Sequence, residues 1–261
     1  RPEVSALSLP APARYPDSMI RFTPAAPGGP AIDWTSELAR RAERSRHPAL
    51  QAFYQAGCAS GDTPLEQAQL IALDIETTGL DARRDAIVSI GLVPFDLQRI
   101  RCRDAFYEVV KPNTPLSEES ITFHRITHSD IRQAPPMAAV LDRVLKAMAG
   151  KIMVVHYRAI ERAFLDRAVQ QHLGESLTFP VIDTMQLEAR LHRGSAQPGW
   201  LARLFGRKVE SIRLADSRLR YGLPHYSAHH ALTDAVATAE LLQAQVLTHY
   251  QPETPLRDLW Y

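Results

Sequence analysis

The stretch QLIALDIETTG, residues 69–79, is an apolar run with β-branched residues that ends at a glycine. A run of this kind, bounded by turn residues, is typical of a buried strand. Two acidic residues, Asp74 and Glu76, interrupt its carboxyl end. Because side chains alternate along a strand, residues two apart point to the same face. The stretch therefore predicts a core strand that carries two carboxylates on one face.

The elements around this strand define the fold class. AIVSIGLVPFD (86–96) and AFYEVV (105–110) are predicted to be strands, joined as in an antiparallel hairpin or meander. Beyond them helices and strands alternate, over 137–150, 151–156, 160–173, 179–183, 184–193 and 229–250. We expect an α/β fold with a mixed five-stranded sheet flanked by helices on both faces. Residues 195–226 are expected to be irregular and basic.

The amino-terminal part is predicted to be an extension of this domain. Residues 1–30 hold many of the 19 prolines, which favours an extended arm. Residues 33–56 are predicted to form two helices broken near Pro48, the first capped by Asp33 or Thr35. We divide the chain into an extension (1–63), a main domain (64–250) and a tail (251–261).

Each helix of the extension has an apolar stripe. One stripe consists of Trp34, Leu38 and Ala42, and the other of Leu50, Phe53 and Tyr54. We expect both stripes to pack on the main domain. The alternative is that they form a surface for a protein partner or for self-association.

Composition excludes several classes of protein. A net charge of +1 does not indicate a general polyanion binder, so any nucleic-acid surface must be local. Cys58 and Cys102 are in no CxxC pattern and are expected to be reduced thiols. No apolar run approaches the roughly 18 residues that span a membrane. The sequence does not begin with Met, so we expect a trimmed chain, and we expect a cytoplasmic protein.

A third acidic residue lies in the segment HHALTDAVATAELL, residues 229–242. Asp234 neighbours an apolar helical stripe, so we expect it to be partly buried and to need a partner. His229 precedes it by five residues, about 140° away on a regular helix. We therefore expect His229 at the leading edge of the helix, where it suits a general base near neutral pH. A zinc site is the weaker alternative, because no ordinary zinc pattern fits the spacing of His156, His225, His229 and His230.

Together these motifs resemble those of the DEDDh 3′–5′ exonucleases, a family that includes the epsilon proofreading subunit of bacterial replicases. LDIETTGL (73–80) matches the family's D-x-E-T-T-G-L motif, and HHALTDA (229–235) resembles H-x-A-x-x-D-A. ITFHRIT (121–127) is similar to a weaker motif of the family, with Arg125 where Gly is usual. VIDTMQL (181–187) resembles the Asp-Thr pair with which a strand of the family ends, and the Asp of that pair is Asp183 here. The similarity covers roughly residues 66–250 and implies a ribonuclease H-like sheet.

The middle motif departs from the family pattern. The family shows H-N-x-x-F-D-x-x-F-L, where this chain has HYRAIERAFL, residues 156–165. Phe164 and Leu165 fix the register, so Tyr157 replaces Asn and Glu161 replaces the metal-binding Asp. Asp166 is about 140° further around the helix and is a poor substitute. Since glutamate keeps the carboxylate, we expect an active enzyme, with a catalytically disabled binding module as the alternative.

The resemblance also implies a mechanism with two divalent cations, Mg²⁺ or Mn²⁺. Asp74 would bridge both ions, while Glu76 and Asp234 would hold the ion that carries the attacking water. Glu161 would serve the ion beside the leaving 3′-oxygen, and His229 would accept the proton of the water. The product would be a nucleoside 5′-monophosphate.

Substrate contacts are expected around the first motif. Thr77, Thr78 and Gly79 form a turn where the backbone can approach a ligand closely. By resemblance, Leu80 packs against the terminal base. Phe164 either lines the same pocket or belongs to the core, Asp183 orients a neighbouring element, and the candidates for base stacking are Tyr157, Tyr221 and Tyr226.

A basic cluster precedes the His229 motif and is interpreted either as a rim that follows the phosphates or as a solvated face. Its members are Arg203, Arg207, Lys208, Arg213, Arg218 and Arg220. The expected substrate is the 3′ end of single-stranded DNA or RNA, and no motif decides between the two. We favour a stand-alone enzyme over a domain that serves a polymerase.

Overall fold

The computed structural model of the protein describes residues 32–114, 125–193 and 210–261. Within these ranges five strands form one mixed sheet with the order β3-β2-β1-β4-β5. They are β1 (Leu70–Thr77), β2 (Ile87–Phe95), β3 (Phe106–Val109), β4 (Ile152–Val155) and β5 (Val181–Asp183). β2 is antiparallel to β1 and β3, while β4 is parallel to β1 and β5. The predicted meander and fold class are confirmed.

Eight α-helices surround the sheet in the described part of the chain. They are α1 (Trp34–Arg44), α2 (Pro48–Gln55), α3 (His128–Gln133), α4 (Met137–Met148), α5 (Arg158–Leu173), α6 (Thr184–Arg193), α7 (Leu214–Arg220) and α8 (Ala231–His249). Most residues of β1 and β2 are buried irrespective of the face to which they point. Such burial requires cover on both faces of the sheet. α8 contacts β1, β2 and β4, and α5 contacts β1.

The helical extension packs on the main domain, as predicted. Both apolar stripes belong to the same hydrophobic core as the sheet, and Trp34 and Leu50 are fully buried. Of the two capping candidates, Asp33 is the cap, because its carboxylate accepts from the Ser36 backbone N–H at 3.3 Å. The predicted extended arm, residues 1–30, lies outside the described residues.

The prediction that residues 195–226 are irregular is wrong for Leu214–Arg220, which form α7. Residues 194–209 are outside the described part. The sequence of α7 has no apolar stripe wide enough to predict a helix. Instead, polar contacts made by the buried Arg218 stabilise it.

The carboxyl-terminal segment contacts two separate parts of the main domain. Pro64 forms an isolated bridge with Pro255, and Trp260 forms another with Ile182 of β5. Leu256 and Leu259 are fully buried. The division at residues 63 and 250 stays a prediction. Both cysteines are free, as predicted. In the described ranges we find no helix whose length and apolar character would let it cross a membrane.

Candidate active site

The site begins at the carboxyl end of β1. Asp74 and Glu76 point to the same face, because they are two residues apart on a strand. On the neighbouring strand β2, Asp74 pairs with Gly91 and Glu76 pairs with Ser89. The register shifts between Glu76 and Thr77, where the regular pairing ends. Both carboxylates therefore lie at the edge of the apolar core, where the strand opens into a loop.

Gly91 allows α8 to approach this face of the sheet. A Cβ atom at Gly91 would overlap the backbone of Ala231 and Leu232 at the start of α8. Residues directly opposite each other on antiparallel strands share a face, so the start of α8 lies on the face of Asp74. The contact places Asp234, in the first turn of α8, beside the two carboxylates of β1. Sequence reasoning missed Gly91, although a glycine inside an apolar strand signals close approach of another backbone.

Three carboxylates form a cluster at this point. One oxygen of Asp74, one of Glu76 and one of Asp234 all lie within 4.8 Å of one another. Burial raises the pKa of Asp74 well above its ordinary value, and the neighbouring carboxylates raise it further. Burial, followed by the charge of Asp234, raises the pKa of Glu76 to about 8. An all-oxygen donor set with this mutual repulsion fits a hard divalent cation.

Glu161 lies in the first turn of α5 and is 4% exposed. It is not part of the group of three, but its charge contributes to the raised pKa of Asp74. Its Oε2 has no hydrogen-bond partner among the described residues, and burial raises the pKa of its carboxyl group. Since a buried carboxylate oxygen without a donor is costly, the Glu161 side chain also fits a cation ligand.

Asp183 holds the start of α5. Its buried carboxylate accepts hydrogen bonds from the backbone N–H groups of Tyr157 at 3.1 Å and Arg158 at 3.0 Å. It also accepts from the Arg158 guanidinium at 3.1 Å and from the Met185 N–H at 3.0 Å. These donors lie at the starts of α5 and α6, so Asp183 fixes two helix ends and, through α5, the position of Glu161. Asp166 is not part of the candidate site, because its carboxylate accepts a hydrogen bond from the Leu177 backbone N–H at 2.8 Å.

His229 precedes α8, as expected, and its side chain is exposed. Its backbone is in the left-handed region, with φ 69°. The Asp234 Oδ2 accepts hydrogen bonds from the His229 N–H at 2.7 Å and the His230 N–H at 3.1 Å. The His230 ring stacks on Tyr107 of β3, which pairs with Gly91. These hydrogen bonds hold the His229 backbone against the carboxylate cluster. The sequence did not predict the role of Tyr107.

The turn after β1 is stabilised by hydrogen bonds of its own threonine hydroxyl groups. The Thr77 hydroxyl donates to the Gly79 carbonyl at 2.6 Å, and the Thr78 hydroxyl accepts from the Ala86 N–H at 3.0 Å. A side chain at Gly79 would overlap the Asp85 carboxylate. Leu80 is 39% exposed. The turn therefore presents an apolar side chain at the edge of the cluster.

Two predicted substrate contacts lie apart from the exposed surface. Phe164 is 3% exposed and belongs to the hydrophobic core, which was the stated alternative. Tyr157 is partly buried at the start of α5, with φ 98°.

The interpretation of the basic cluster as a phosphate rim is wrong for two of its members. Arg218 is 2% exposed and forms an ion pair with Glu240. Arg220 forms an ion pair with the fully buried Glu188. Their guanidinium groups are engaged by carboxyl and carbonyl oxygens of the protein itself. Arg203, Arg207 and Lys208 lie outside the described residues.

Two tyrosines proposed for base stacking have partners inside the protein. The Tyr221 hydroxyl donates to Glu188 at 2.7 Å. The ring of Tyr226 lies 4.9 Å from the Arg218 guanidinium. No sequence signal predicted the contact between Tyr226 and Arg218.

The histidine alternative finds no support in the described ranges, where no histidine joins a group of candidate metal ligands. His156 is hydrogen-bonded through Nδ1 to the Thr184 hydroxyl at 2.8 Å and through Nε2 to the Ile212 carbonyl at 3.0 Å. Burial lowers its pKa to about 4. His156 therefore joins structural elements as a neutral side chain at neutral pH.

Comparison with known proteins agrees with this arrangement. The RNase T family model, described as exonuclease, matches residues 71–242, and the chain belongs to this family. The DNA polymerase III subunit epsilon-like protein of Rhodobacter capsulatus is 32% identical over 183 residues. That alignment covers 70% of this chain and 24% of the relative, so the chain spans about a quarter of the relative's length.

Solved structures of exonucleases share the fold. Exonuclease X in complex with 5′ overhanging duplex DNA has a TM-score of 0.53 and 23% identity, covering 72% of this chain and 98% of that chain. The nuclease domain of 3′hExo, a DEDDh family member bound to rAMP, has a TM-score of 0.55 and 17% identity, covering 69% of this chain and 92% of that chain. The sequence resemblance to DEDDh exonucleases is confirmed.

Proposed function

We propose that this chain is a metal-dependent 3′–5′ exonuclease that acts on single-stranded DNA or RNA and releases nucleoside 5′-monophosphates. The observation that carries the proposal is the cluster of Asp74, Glu76 and Asp234, with one oxygen of each within 4.8 Å of the others. Burial raises the pKa of all three carboxyl groups, and repulsion between carboxylates raises the pKa of Asp74 and Glu76 further. A cluster of this kind is stabilised by a bound cation, and its three residues lie within the segment that the exonuclease family model matches.

The chain's own residues would have distinct roles in this reaction. Asp74, Glu76 and Asp234 would hold one ion, and Asp74 together with Glu161 would hold a second. Bound Mg²⁺ or Mn²⁺ would supply charge stabilisation at the scissile phosphate and lower the pKa of a coordinated water. His229 would accept the proton of that water. Its exposed side chain and its backbone bond to Asp234 support this role.

The substrate end would lie over the turn after β1. The exposed Leu80 would contact the terminal base, and the backbone of Thr77, Thr78 and Gly79 would lie close to the nucleotide. Tyr157 would line the other side, while Phe164 would support the pocket from the core. Asp183 would act indirectly, by fixing the start of α5. The 3′hExo nuclease domain was solved with rAMP, which is consistent with a nucleotide at such a site.

One observation favours a second function, a nucleic-acid-binding module with a disabled site. Glu161 lies outside the group of three carboxylates, where the family pattern has Asp. The longer side chain then fails to complete the second cation site. Degradation of a labelled strand by the wild type and by Glu161→Asp separates the two functions.

Assembly and location belong to the same proposal. The apolar stripes of α1 and α2 are buried in the core, so a partner-binding or self-association role would fall to other parts of residues 1–63. Two free cysteines are consistent with a cytoplasmic location. The epsilon-like relative is a matched protein about four times the length of the aligned segment, so a role beside a polymerase is a further outcome to be tested.

The test uses 5′-labelled single-stranded DNA and RNA of one sequence, with Mg²⁺ or Mn²⁺, and compares the wild type with Asp74→Asn and Glu161→Asp. The proposal expects products that shorten from the 3′ end with the wild type and at least about 100-fold slower degradation with Asp74→Asn. If the wild type leaves both strands intact while Glu161→Asp degrades one of them, the disabled module replaces the exonuclease.

A further inference from the structure

The backbone of Tyr261 is bonded to the edge of the sheet. Its N–H donates to the carbonyl of Val181, the first residue of β5, at 2.8 Å, and its carbonyl accepts from the Val181 N–H at 3.3 Å. Tyr261 lies beyond residues 71–242, the segment that the family model matches. A residue outside the family motifs is therefore fixed beside the strand that ends at Asp183.

The side chain of Tyr261 lies against two arginines. Its ring centroid is 4.1 Å from the guanidinium of Arg158 and 4.9 Å from that of Arg190, both within the range of a cation–π contact. Arg190 also donates to the Asp258 carbonyl at 2.8 Å, so it belongs to the same set of contacts. A guanidinium that stacks on a ring can still donate from its edge to a carboxylate.

Arg158 makes such a second contact at the start of α5. Its guanidinium donates to the fully buried Asp183 carboxylate at 3.1 Å. The same carboxylate accepts from the backbone N–H groups of Tyr157 and Arg158. Arg158 therefore connects the ring of Tyr261 to the group that fixes the first turn of α5, the turn that carries Glu161.

A second arginine connects Tyr261 to the same turn. The Arg162 guanidinium donates to the Tyr261 carbonyl and to the Phe179 carbonyl, the latter at 2.7 Å. Arg162 follows Glu161 directly, and Arg158 precedes it by three residues. Both arginines therefore lie within one helical turn of Glu161 and bind the same residue outside the helix.

We propose that Tyr261 is a positioning residue for the second cation: its ring holds Arg158 and its carbonyl holds Arg162, and together they set the position of the Glu161 carboxylate. This inference rests on the proposed function, since it assigns Glu161 to the second cation. Outer contacts of this kind commonly set the affinity of a metal ligand.

The test measures how many Mn²⁺ ions each protein binds, and how tightly, by titration with electron paramagnetic resonance. Glu161→Gln identifies the second ion, because it removes the charge of that ligand. Tyr261→Leu removes the ring, and Tyr261→Phe keeps it. Thermal unfolding shows that each variant is folded.

We expect Tyr261→Leu to weaken the second Mn²⁺ at least about threefold and to change the affinity for the first less than about twofold. We expect Tyr261→Phe to restore the affinity for both ions. The inference is overturned if Tyr261→Leu binds both ions like the wild type, if it weakens both equally, or if the wild type binds a single ion. It is also overturned if Tyr261→Phe is as weak as Tyr261→Leu.

Arg158→Met provides a second variant in case Tyr261→Leu does not fold, and Arg143→Met is its matched control. Arg143 also pairs with a carboxylate, that of Glu108 at 2.9 Å, and its guanidinium lies 5.6 Å from the ring of Phe106. We expect Arg158→Met to weaken the second ion at least about threefold and Arg143→Met to bind both ions normally. Unchanged binding by Arg158→Met would refute the inference.

Failure of the proposed function gives a different result. A wild type that binds two Mn²⁺ ions but does not degrade single-stranded oligonucleotides would refute the exonuclease. The affinities of the variants for the second ion would still decide the role of Tyr261.

Discussion

Two of the three non-glycine residues with positive φ in the described ranges, Arg125 and Tyr157, stand where the resemblance places smaller residues. Arg125 has φ 57° and Tyr157 has φ 98°, both in the left-handed region where a side chain with Cβ is strained. The exonuclease family has Gly and Asn at these positions. Tyr157 begins the helix that carries Glu161, so its strain is located at the candidate site. Arg125 is exposed, so a substitution at this position tests the backbone strain with little change in core packing.

Arg125→Gly is therefore expected to increase the free energy of unfolding by roughly 0.5–1 kcal/mol, because glycine adopts the left-handed conformation without steric cost. Arg132→Gly is the matched control. Arg132 is exposed and lies within α3, so the same substitution is expected to lower stability by about 1 kcal/mol. Urea denaturation of both variants measures the difference. A loss of stability in both would show that the strain at Arg125 is offset by its contacts.

At the scale of elements, the site depends on how closely α8 approaches the sheet. The row Asp74, Gly91 and Tyr107 crosses three strands, and the glycine in its middle receives the start of α8. Asp234 meets the β1 carboxylates on one side, and His230 stacks on Tyr107 on the other. One residue without a side chain thus brings together motifs that are far apart in sequence.

Gly91→Ala is expected to displace α8 and to lower the free energy of unfolding by roughly 1–3 kcal/mol, because the new methyl group overlaps backbone atoms. It is also expected to weaken Mn²⁺ binding more than about tenfold. Gly174→Ala is the control, since Gly174 has φ 78° and open space around it at the end of α5. That variant should lose about 1 kcal/mol of stability and bind Mn²⁺ normally. Normal Mn²⁺ binding by Gly91→Ala would contradict this account of the helix contact.

At the scale of the whole molecule, the carboxylate cluster makes stability depend on pH. Burial and like charges raise the pKa of Glu76 from 4.5 to about 8 and raise the pKa values of Asp74 and Glu161, and burial raises the pKa of Asp234. The folded protein therefore binds more protons than the unfolded chain within this window, so stability falls as pH rises. The contribution of protonated Glu76 to the stability of the fold is fully present below about pH 4.5. It is lost as pH rises through about 8.

We expect the metal-free protein to lose about 2–4 kcal/mol of unfolding free energy between pH 5 and pH 8, after allowance for the partial exposure of Glu76. Mn²⁺ should restore stability at pH 8 and have little effect at pH 5, where protons compete for the carboxylates. Chemical denaturation at both pH values with and without Mn²⁺ measures this dependence. In Glu76→Gln the decrease of unfolding free energy with pH should be smaller. An increase of unfolding free energy with pH in the wild type would mean that cationic groups compensate the charges of the cluster.

The sequence predicted the sheet, its order of elements and three of the acids that cluster, because these depend on local periodicity and on spacing along single elements. It did not predict Gly91, Tyr107 or the inward orientation of Arg218, because these depend on contacts between distant elements. Basic residues near a catalytic motif suggested a phosphate rim, yet two of them pair with the buried Glu188 and with Glu240 in the middle of α8. The resemblance located Glu161, but the structure was needed to show that one of its buried carboxylate oxygens has no hydrogen-bond donor.

The central claim is that the cluster at the end of β1 hydrolyses the terminal phosphodiester bond of a nucleic-acid strand. The most direct measurement uses a single strand whose last nucleotide alone is labelled and identifies the first labelled product by chromatography, with the wild type and with Asp74→Asn. We predict a nucleoside 5′-monophosphate that appears only with Mg²⁺ or Mn²⁺ and is released at least about 100-fold more slowly by Asp74→Asn. Release of a labelled nucleoside without phosphate, of a longer labelled fragment, or of no label from folded, metal-loaded wild type would contradict the account.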